Sequence, residues 1–108
     1  MAREKFQTLT EQMFYILLCL GQERCGADVM AWISETTGGR VAVGPGTLYN
    51  LLEQFLQAGY IRETKVEGRK RSYVITSAGQ EALEAEVRRL RTLTADYARL
   101  AETEGGAL

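Results

Sequence analysis

The sequence predicts a mainly α-helical fold with one small β-hairpin and a long C-terminal helix. Four segments carry apolar residues at steps of three and four, the spacing of amphipathic helices. Between the third and fourth, two short runs rich in β-branched and aromatic residues flank Glu67-Gly68, which is a hairpin turn signal. The 108 residues suffice for one small domain.

The first two helices are placed by their apolar stripes and their end signals. The first runs from Thr8 to about Leu20, with Thr8 and Glu11 spaced as a capping box and Gly21 at its end. The second runs from about Gly26 to Thr37, and the pair of glycines after it stops the helix.

The third helix begins at Pro45, because proline is tolerated in the first helical turn, and it ends at Gly59. Its apolar stripe is formed by Leu48, Leu51, Leu52 and Phe55. On its opposite side, amides and hydroxyls follow at Thr47, Asn50, Gln54 and Gln57. The helix therefore has one apolar face for the core and one polar face that is free to contact a partner.

A hairpin and a long helix complete the chain. The strands are predicted at Tyr60–Val66 and Arg69–Ile75, and the helix from about Ser77 to about Glu102, capped by Thr76 or by Ser77 with Gln80. At about 39 Å, this helix is too long to bury its stripe against its own chain alone, so we expect it to pair with its copy in a second subunit. The predicted dimerisation residues are Leu83, Val87, Leu90, Leu93, Thr94 and Tyr97. Three helices, a hairpin and an appended helix correspond to a winged helix-turn-helix with a dimerisation arm.

Positive charge is concentrated in the centre of the chain. From Arg40 to Arg71 there are six basic and three acidic residues, a balance of +3. Residues 1–39 have three basic and five acidic residues, and residues 72–108 have four basic and six acidic residues. Each flank therefore contributes -2, and the net charge of the chain is -1. The segment that contains the third helix and the hairpin is therefore the part of the chain expected to contact phosphates.

The side chains of this segment suit the two tasks of DNA recognition. Basic residues at a hairpin tip neutralise the phosphate backbone, while Thr47, Asn50 and Gln54 can pair with base edges in the major groove. The hydroxyl of Tyr49 suits a phosphate oxygen. The predicted DNA-binding residues are Thr47, Tyr49, Asn50, Gln54, Lys65, Arg69, Lys70 and Arg71.

Composition argues against catalysis, metal binding and membrane insertion. The chain has no histidine and only two cysteines, so we expect no metal site, no cofactor and no enzyme activity. Cys19 is interpreted as a core residue, and Cys25 lies in a predicted turn where nothing in the sequence supports a thiol switch. The longest apolar stretch, Met13 to Leu20, is far too short to span a membrane, so we expect a cytoplasmic protein.

Three segments resemble the PadR family of transcriptional regulators, specifically its small members with a single C-terminal helix. The most specific is PGTLYNLLEQFLQAGYI (Pro45 to Ile61), and RKRSYVITSAG (Arg69 to Gly79) and LTEQMFYILLCL (Leu9 to Leu20) accompany it in order. The resemblance implies a homodimeric repressor that binds a roughly palindromic operator and, in many members, is released by a ligand. It implies that Thr47, Tyr49 and Asn50 face DNA and that Arg69 to Arg71 form the wing contacts.

The chain departs from the family pattern at several positions. Glu53 and Gln54 stand where basic residues are frequent in the third helix, and Ser72 replaces one tyrosine of the usual wing pair. The second helix begins Cys25-Gly26-Ala27 instead of H-G-Y. Leu90 stands where some members have a tryptophan that stacks on planar drugs, so aromatic stacking is not implied here.

The sequence therefore predicts a DNA-binding transcriptional regulator. Residues 1–76 form the winged helix-turn-helix DNA-binding domain and residues 77–108 the dimerisation helix. The expected partners are double-stranded DNA, a second copy of the chain and a small-molecule effector, with no membrane. The alternative is a winged-helix dimer that binds another protein and no DNA, since a fold does not fix a function. Binding through phosphates weakens steeply as salt rises, and binding through apolar contacts does not.

Overall fold

The computed structural model describes residues 8–103, which form four helices and a three-stranded antiparallel sheet. The elements are α1 (Glu11–Cys19), β1 (Arg24–Cys25), α2 (Gly26–Thr36), α3 (Pro45–Ala58), β2 (Ile61–Glu67), β3 (Lys70–Ile75) and α4 (Ser77–Thr103). This arrangement confirms the predicted fold class of a winged helix-turn-helix followed by a long helix.

The sheet has one strand more than the predicted hairpin. Its order is β1-β3-β2, because β1 pairs antiparallel with β3 through Arg24 opposite Tyr73 and Cys25 opposite Ser72. A strand of two residues shows no alternation of apolar and polar side chains, so the sequence contains no signal for it. Through this pairing the beginning of α2 is held against the hairpin.

The hairpin of β2 and β3, here called the wing, turns one residue later than predicted. Glu67 pairs with Lys70, so the turn consists of Gly68 and Arg69. Gly68 has φ +63°, and glycine is the residue that type II′ turns place at this first turn position. The turn therefore puts Arg69 itself at the tip.

Threonines cap two of the helices, one at a position that was not predicted and one at a predicted position. The N-cap of α1 is Thr10 and not Thr8, since its hydroxyl accepts a hydrogen bond from the Met13 amide at 3.1 Å. Thr76 caps α4 in the same way, through the Gly79 amide at 3.2 Å. The alternative capping box of Ser77 and Gln80 is not formed, because the Gln80 amide group donates to Glu84.

The core lies between the first three helices and the inner face of the sheet, and it fixes the start of α4. Leu83 is buried in this core. Gly79 lies so close to the backbone that a Cβ placed there would come within 2.1 Å of the Tyr60 carbonyl oxygen. The first turns of α4 therefore pack directly on the body, while its exposed C-terminal half extends away from it.

One buried charge joins α4 to the segment that precedes α1. The Glu86 side chain is 5% exposed, accepts a hydrogen bond from the Leu9 amide at 3.3 Å, and is ion-paired with Arg89. The hydrogen bond from Arg89 lowers the pKa of Glu86, against the opposing effect of burial. The charged form is therefore the one that the fold stabilises.

We expect Glu86→Gln to lower the free energy of unfolding by about 1 to 2 kcal/mol at neutral pH, because a charged acceptor is lost. The pKa of Glu86 in the folded chain lies below its usual 4.5, so this contribution is complete above that pH. It is lost as the pH falls through the folded pKa, so the difference from wild type should shrink under acid conditions. Urea unfolding across the pH range measures it, with the exposed Glu81→Gln as control. A difference that does not change with pH would contradict the assignment.

Candidate nucleic-acid interface

The outer face of α3 presents polar side chains that the fold does not use. Leu48, Leu52 and Phe55 are buried beneath the helix, which turns Thr47, Asn50 and Gln54 outward. None of these three makes a side-chain hydrogen bond within residues 8–103, whereas Gln57 at the end of the helix donates to Glu53 at 3.2 Å. Three of the four predicted polar positions are therefore available to a partner.

The wing carries its basic residues at the tip and on both faces. Arg69, Lys70 and Arg71 are all exposed. Arg71 donates a hydrogen bond to Glu63 at 2.7 Å, and this contact raises the pKa of Arg71. Lys65 lies opposite Ser72 and therefore on the face of the wing away from Tyr73, because neighbouring residues of a strand point to opposite sides.

A groove separates the wing from the helices. It is lined by Cys25–Ala27 at the start of α2, Tyr49 of α3, and Arg69–Arg71 and Tyr73 of the wing, and its volume is about 490 Å³. The structure thus brings Tyr49, Arg69, Lys70 and Arg71 of the predicted set around one concave surface. Lys65 does not line it, and Thr47, Asn50 and Gln54 lie on α3 beside it.

The sequence did not reveal the contribution of the α2 start and of Tyr73 to this groove. A Cβ on Gly26 would come within 2.5 Å of the Tyr49 hydroxyl oxygen, so the absence of a side chain lets the tyrosine lie across the beginning of α2. The only signal was that Cys25-Gly26-Ala27 stands where the family often has an H-G-Y motif. Nothing in that motif places it against the wing, because β1 creates the contact.

Arg40 does not belong to this surface, although it was counted with the central positive charge. Its guanidinium contacts Glu11 at 2.6 Å and the Tyr15 hydroxyl at 3.0 Å, on α1. Without it, the segment from Val41 to Arg71 has five basic and three acidic residues, a balance of +2. The charge available to a partner is therefore centred on the wing.

The C-terminal half of α4 exposes large apolar side chains. Leu93 is 51% and Tyr97 59% exposed, and Leu90 and Leu100 continue the same stripe. Leu83, in contrast, packs in the core of its own chain, and Val87 is half-buried. The Thr94 hydroxyl donates to the Arg91 carbonyl at 3.0 Å. The part of the predicted dimerisation stripe that is open to a partner is therefore its C-terminal part.

Residues 8–103 contain neither a membrane-spanning helix nor a metal-binding cluster. No helix in that range is long and apolar enough to cross a membrane. The same range holds no group of three or more histidine, cysteine or acidic side chains placed to bind a metal ion.

The family model described as "Transcriptional regulator PadR-like family" matches residues 16–85, about two thirds of the chain. The chain belongs to this family. The matched range includes α2, α3, the wing and the buried first turns of α4, which confirms the resemblance found in the sequence. The PadR-like family is one of transcriptional regulators and not of enzymes.

Solved structures of other proteins share the fold. RosR from H. salinarum is 24% identical and has a TM-score of 0.65, with 86% of this chain and 96% of that chain covered. A PadR family transcriptional regulator from Eggerthella lenta is 19% identical, with a TM-score of 0.70 and coverage of 86% and 80%. PadR from Bacillus subtilis, solved in complex with operator DNA, is 23% identical with a TM-score of 0.61, but only 46% of that chain is covered, against 68% of this one. No curated protein sequence matches the chain.

Proposed function

We propose that this PadR-like protein is a homodimeric repressor that binds an inverted-repeat operator and is relieved by a small-molecule effector. Each subunit offers α3 to the major groove and its wing to the adjacent phosphate backbone. Two subunits joined through α4 present two such units to one duplex, so the symmetry of the dimer requires a repeat of matching symmetry in the DNA.

The observation that carries this proposal is the position of the two DNA-binding elements around one groove. Thr47, Asn50 and Gln54 on α3 make no side-chain hydrogen bond within residues 8–103, and Arg69 and Lys70 are exposed at the tip of the wing. Base-edge contacts and phosphate contacts are both needed for specific binding, and each is supplied here by a separate element. The complex of Bacillus subtilis PadR with operator DNA supports the same use of a related fold.

Support for the dimer comes from the exposed stripe on α4. A soluble chain rarely exposes several large apolar residues along one helix face, and a second copy of the helix is the simplest cover for it. We therefore assign DNA binding to residues 1–76 and dimerisation to residues 77–108. The buried start of α4 is the rigid link between the two parts.

Selection of bound fragments from the source genome tests the proposal. The purified protein is mixed with sheared genomic DNA at moderate salt, and the retained fragments are sequenced. We expect an inverted repeat shared by the retained fragments, close to a promoter, and loss of transcription from that promoter when the protein is present. Retention without a shared repeat would contradict sequence-specific binding, and no retention at low ionic strength would contradict the proposal in favour of a protein-binding module.

Asn50→Ala should change the preference among sequences more than the affinity. A bidentate side-chain contact with a base discriminates by about 1 to 3 kcal/mol, so the variant is expected to lose roughly tenfold or more for the selected site and little for unrelated duplexes. Competition binding with both kinds of duplex measures the ratio. Gln57→Ala removes an amide from the same helix and should leave the ratio unchanged. Equal losses on all duplexes would show that Asn50 contacts no base.

A further inference from the structure

We propose that the groove between the start of α2 and the wing is a seat for one phosphate group of the DNA backbone, with the buried hydroxyl of Tyr73 as a donor at its floor. The inference rests on the proposed function and names the chemical group that this part of the surface takes. Its position beside α3 would fix how deeply and in which register that helix enters the major groove.

The hydroxyl of Tyr73 is the first observation. The side chain is 4% exposed, yet it lines the groove, and its hydroxyl has no hydrogen-bond partner anywhere in residues 8–103. Buried polar groups are almost always satisfied, so a hydroxyl left without a partner points to a ligand or a water in the groove. Burial and the nearby Glu63 raise the pKa of Tyr73, which keeps the phenol protonated and able to donate.

The beginning of α2 is the second, independent observation. The N-cap residue, Cys25, makes no side-chain hydrogen bond to the first turn of this 11-residue helix. The first amides of a helix lack intrahelical acceptors and point along a dipole that favours anions. Gly26 and Ala27 line the groove, whereas Asp28, the acidic residue of that turn, does not.

The charges around the groove suit a singly charged phosphodiester. Arg69, Lys70 and Arg71 line it, and Arg71 is held by Glu63 at 2.7 Å. Glu53 also acts on Tyr73 electrostatically. Three cations against two carboxylates leave a net charge of about +1, which matches one phosphodiester better than a doubly charged free phosphate. Because residues of the wing line the groove, a DNA backbone that contacts the wing would also pass the groove.

Tyr73→Phe tests the seat, because it removes one oxygen and no charge. We expect binding of a duplex of roughly 20 base pairs to weaken by about tenfold, since a hydrogen bond to a charged group is lost. The dependence of binding on salt should keep its slope, because no cation is removed. The melting temperature should stay the same or rise, because the hydroxyl has no hydrogen-bond partner among the described residues. Tyr60→Phe is the matched control, since Tyr60 is equally buried and lies outside the groove.

The amide signals of Gly26 and Ala27 give a readout that does not depend on a variant. In the ¹⁵N-labelled full chain, both should shift when the duplex is added, while Gly38 and Gly39, beyond the other end of α2, should not. Inorganic phosphate at the same phosphate concentration should shift them far less.

The possible failures can be told apart. If wild type binds duplex DNA but Tyr73→Phe binds it equally well, the seat is wrong and the proposed function stands. If inorganic phosphate shifts the two amides as fully as the duplex does, the groove is a site for free phosphate and not for the backbone. If wild type binds no duplex at low ionic strength, the proposed function fails, and the seat fails with it.

Discussion

Replacing Arg69 and Lys70 together by alanine is expected to weaken binding to every duplex by roughly a hundredfold near 0.1 M salt. Each phosphate contact contributes about 0.9 to the slope of log affinity against log salt, so the loss of two contacts per subunit should flatten the slope of a dimer by roughly 3 to 4. Because phosphate contacts carry no base information, the preference among sequences should remain. Fluorescence anisotropy over a salt series measures both quantities.

The control for this double variant is Arg88→Ala with Arg91→Ala on α4. It changes the net charge by the same amount, and both residues are exposed and lie outside the wing. If the two double variants lost the same affinity, the effect would come from overall charge, and the wing would have no particular role. An unchanged affinity after the wing substitutions would remove the wing from the interface.

Arg71 is left out of this variant because its position in the free protein is different. It is paired with Glu63 on the face of the wing toward the helices, so a phosphate would have to compete with a carboxylate for it. Truncation of Arg71 would also release the Glu63 carboxylate and make the groove more negative, so the measured loss would exceed that of one contact. Arg69 and Lys70 make no side-chain ion pair within residues 8–103, which makes their removal easier to interpret.

Long periodic elements were predictable from the sequence because each is specified locally. The bounds of α3 follow from Pro45 and Gly59, and the structure confirms both, with Gly59 at φ +79°. The polar face of α3 and the basic tip of the wing follow in turn, since a helix period and a strand period fix which residues share a side. The N-cap of α1 was harder to predict, because Thr8 and Thr10 both have a side chain that can cap a helix. Only the path of the chain selects Thr10.

The groove was not predictable, because it is assembled from segments far apart in sequence. The two residues of β1 bring Cys25–Ala27 beside residues 69–73, and no local sequence pattern predicts so short a strand. The same applies to Arg40, whose contact with Glu11 joins the loop after α2 to α1 and removes its charge from the wing surface. Local charge counts locate a basic segment, but only the fold shows which of its charges are already paired.

Leu93→Glu is expected to convert the protein from a dimer to a monomer at micromolar concentration. In the proposed dimer each copy buries Leu93 against the other subunit, so a carboxylate there loses about 2 kcal/mol of apolar burial per subunit and adds the desolvation of a charge. Sedimentation velocity should show the shift to the mass of one chain. The fold itself should survive, because Leu93 is 51% exposed in the single chain and contributes little to its core.

Ala95→Glu provides the control on the opposite side of the same helix. Residue 95 lies about 200° around the axis from residue 93, it is exposed, and its new carboxylate would be one turn before Arg99. This variant should remain dimeric and bind DNA normally. A monomeric Leu93→Glu protein should lose affinity for an inverted repeat by a hundredfold or more, because each half-site must then be bound separately, yet it should retain weak binding to a half-site. A Leu93→Glu protein that stayed dimeric would place the subunit contact elsewhere, and the spacing of the two recognition helices could then no longer be set by α4.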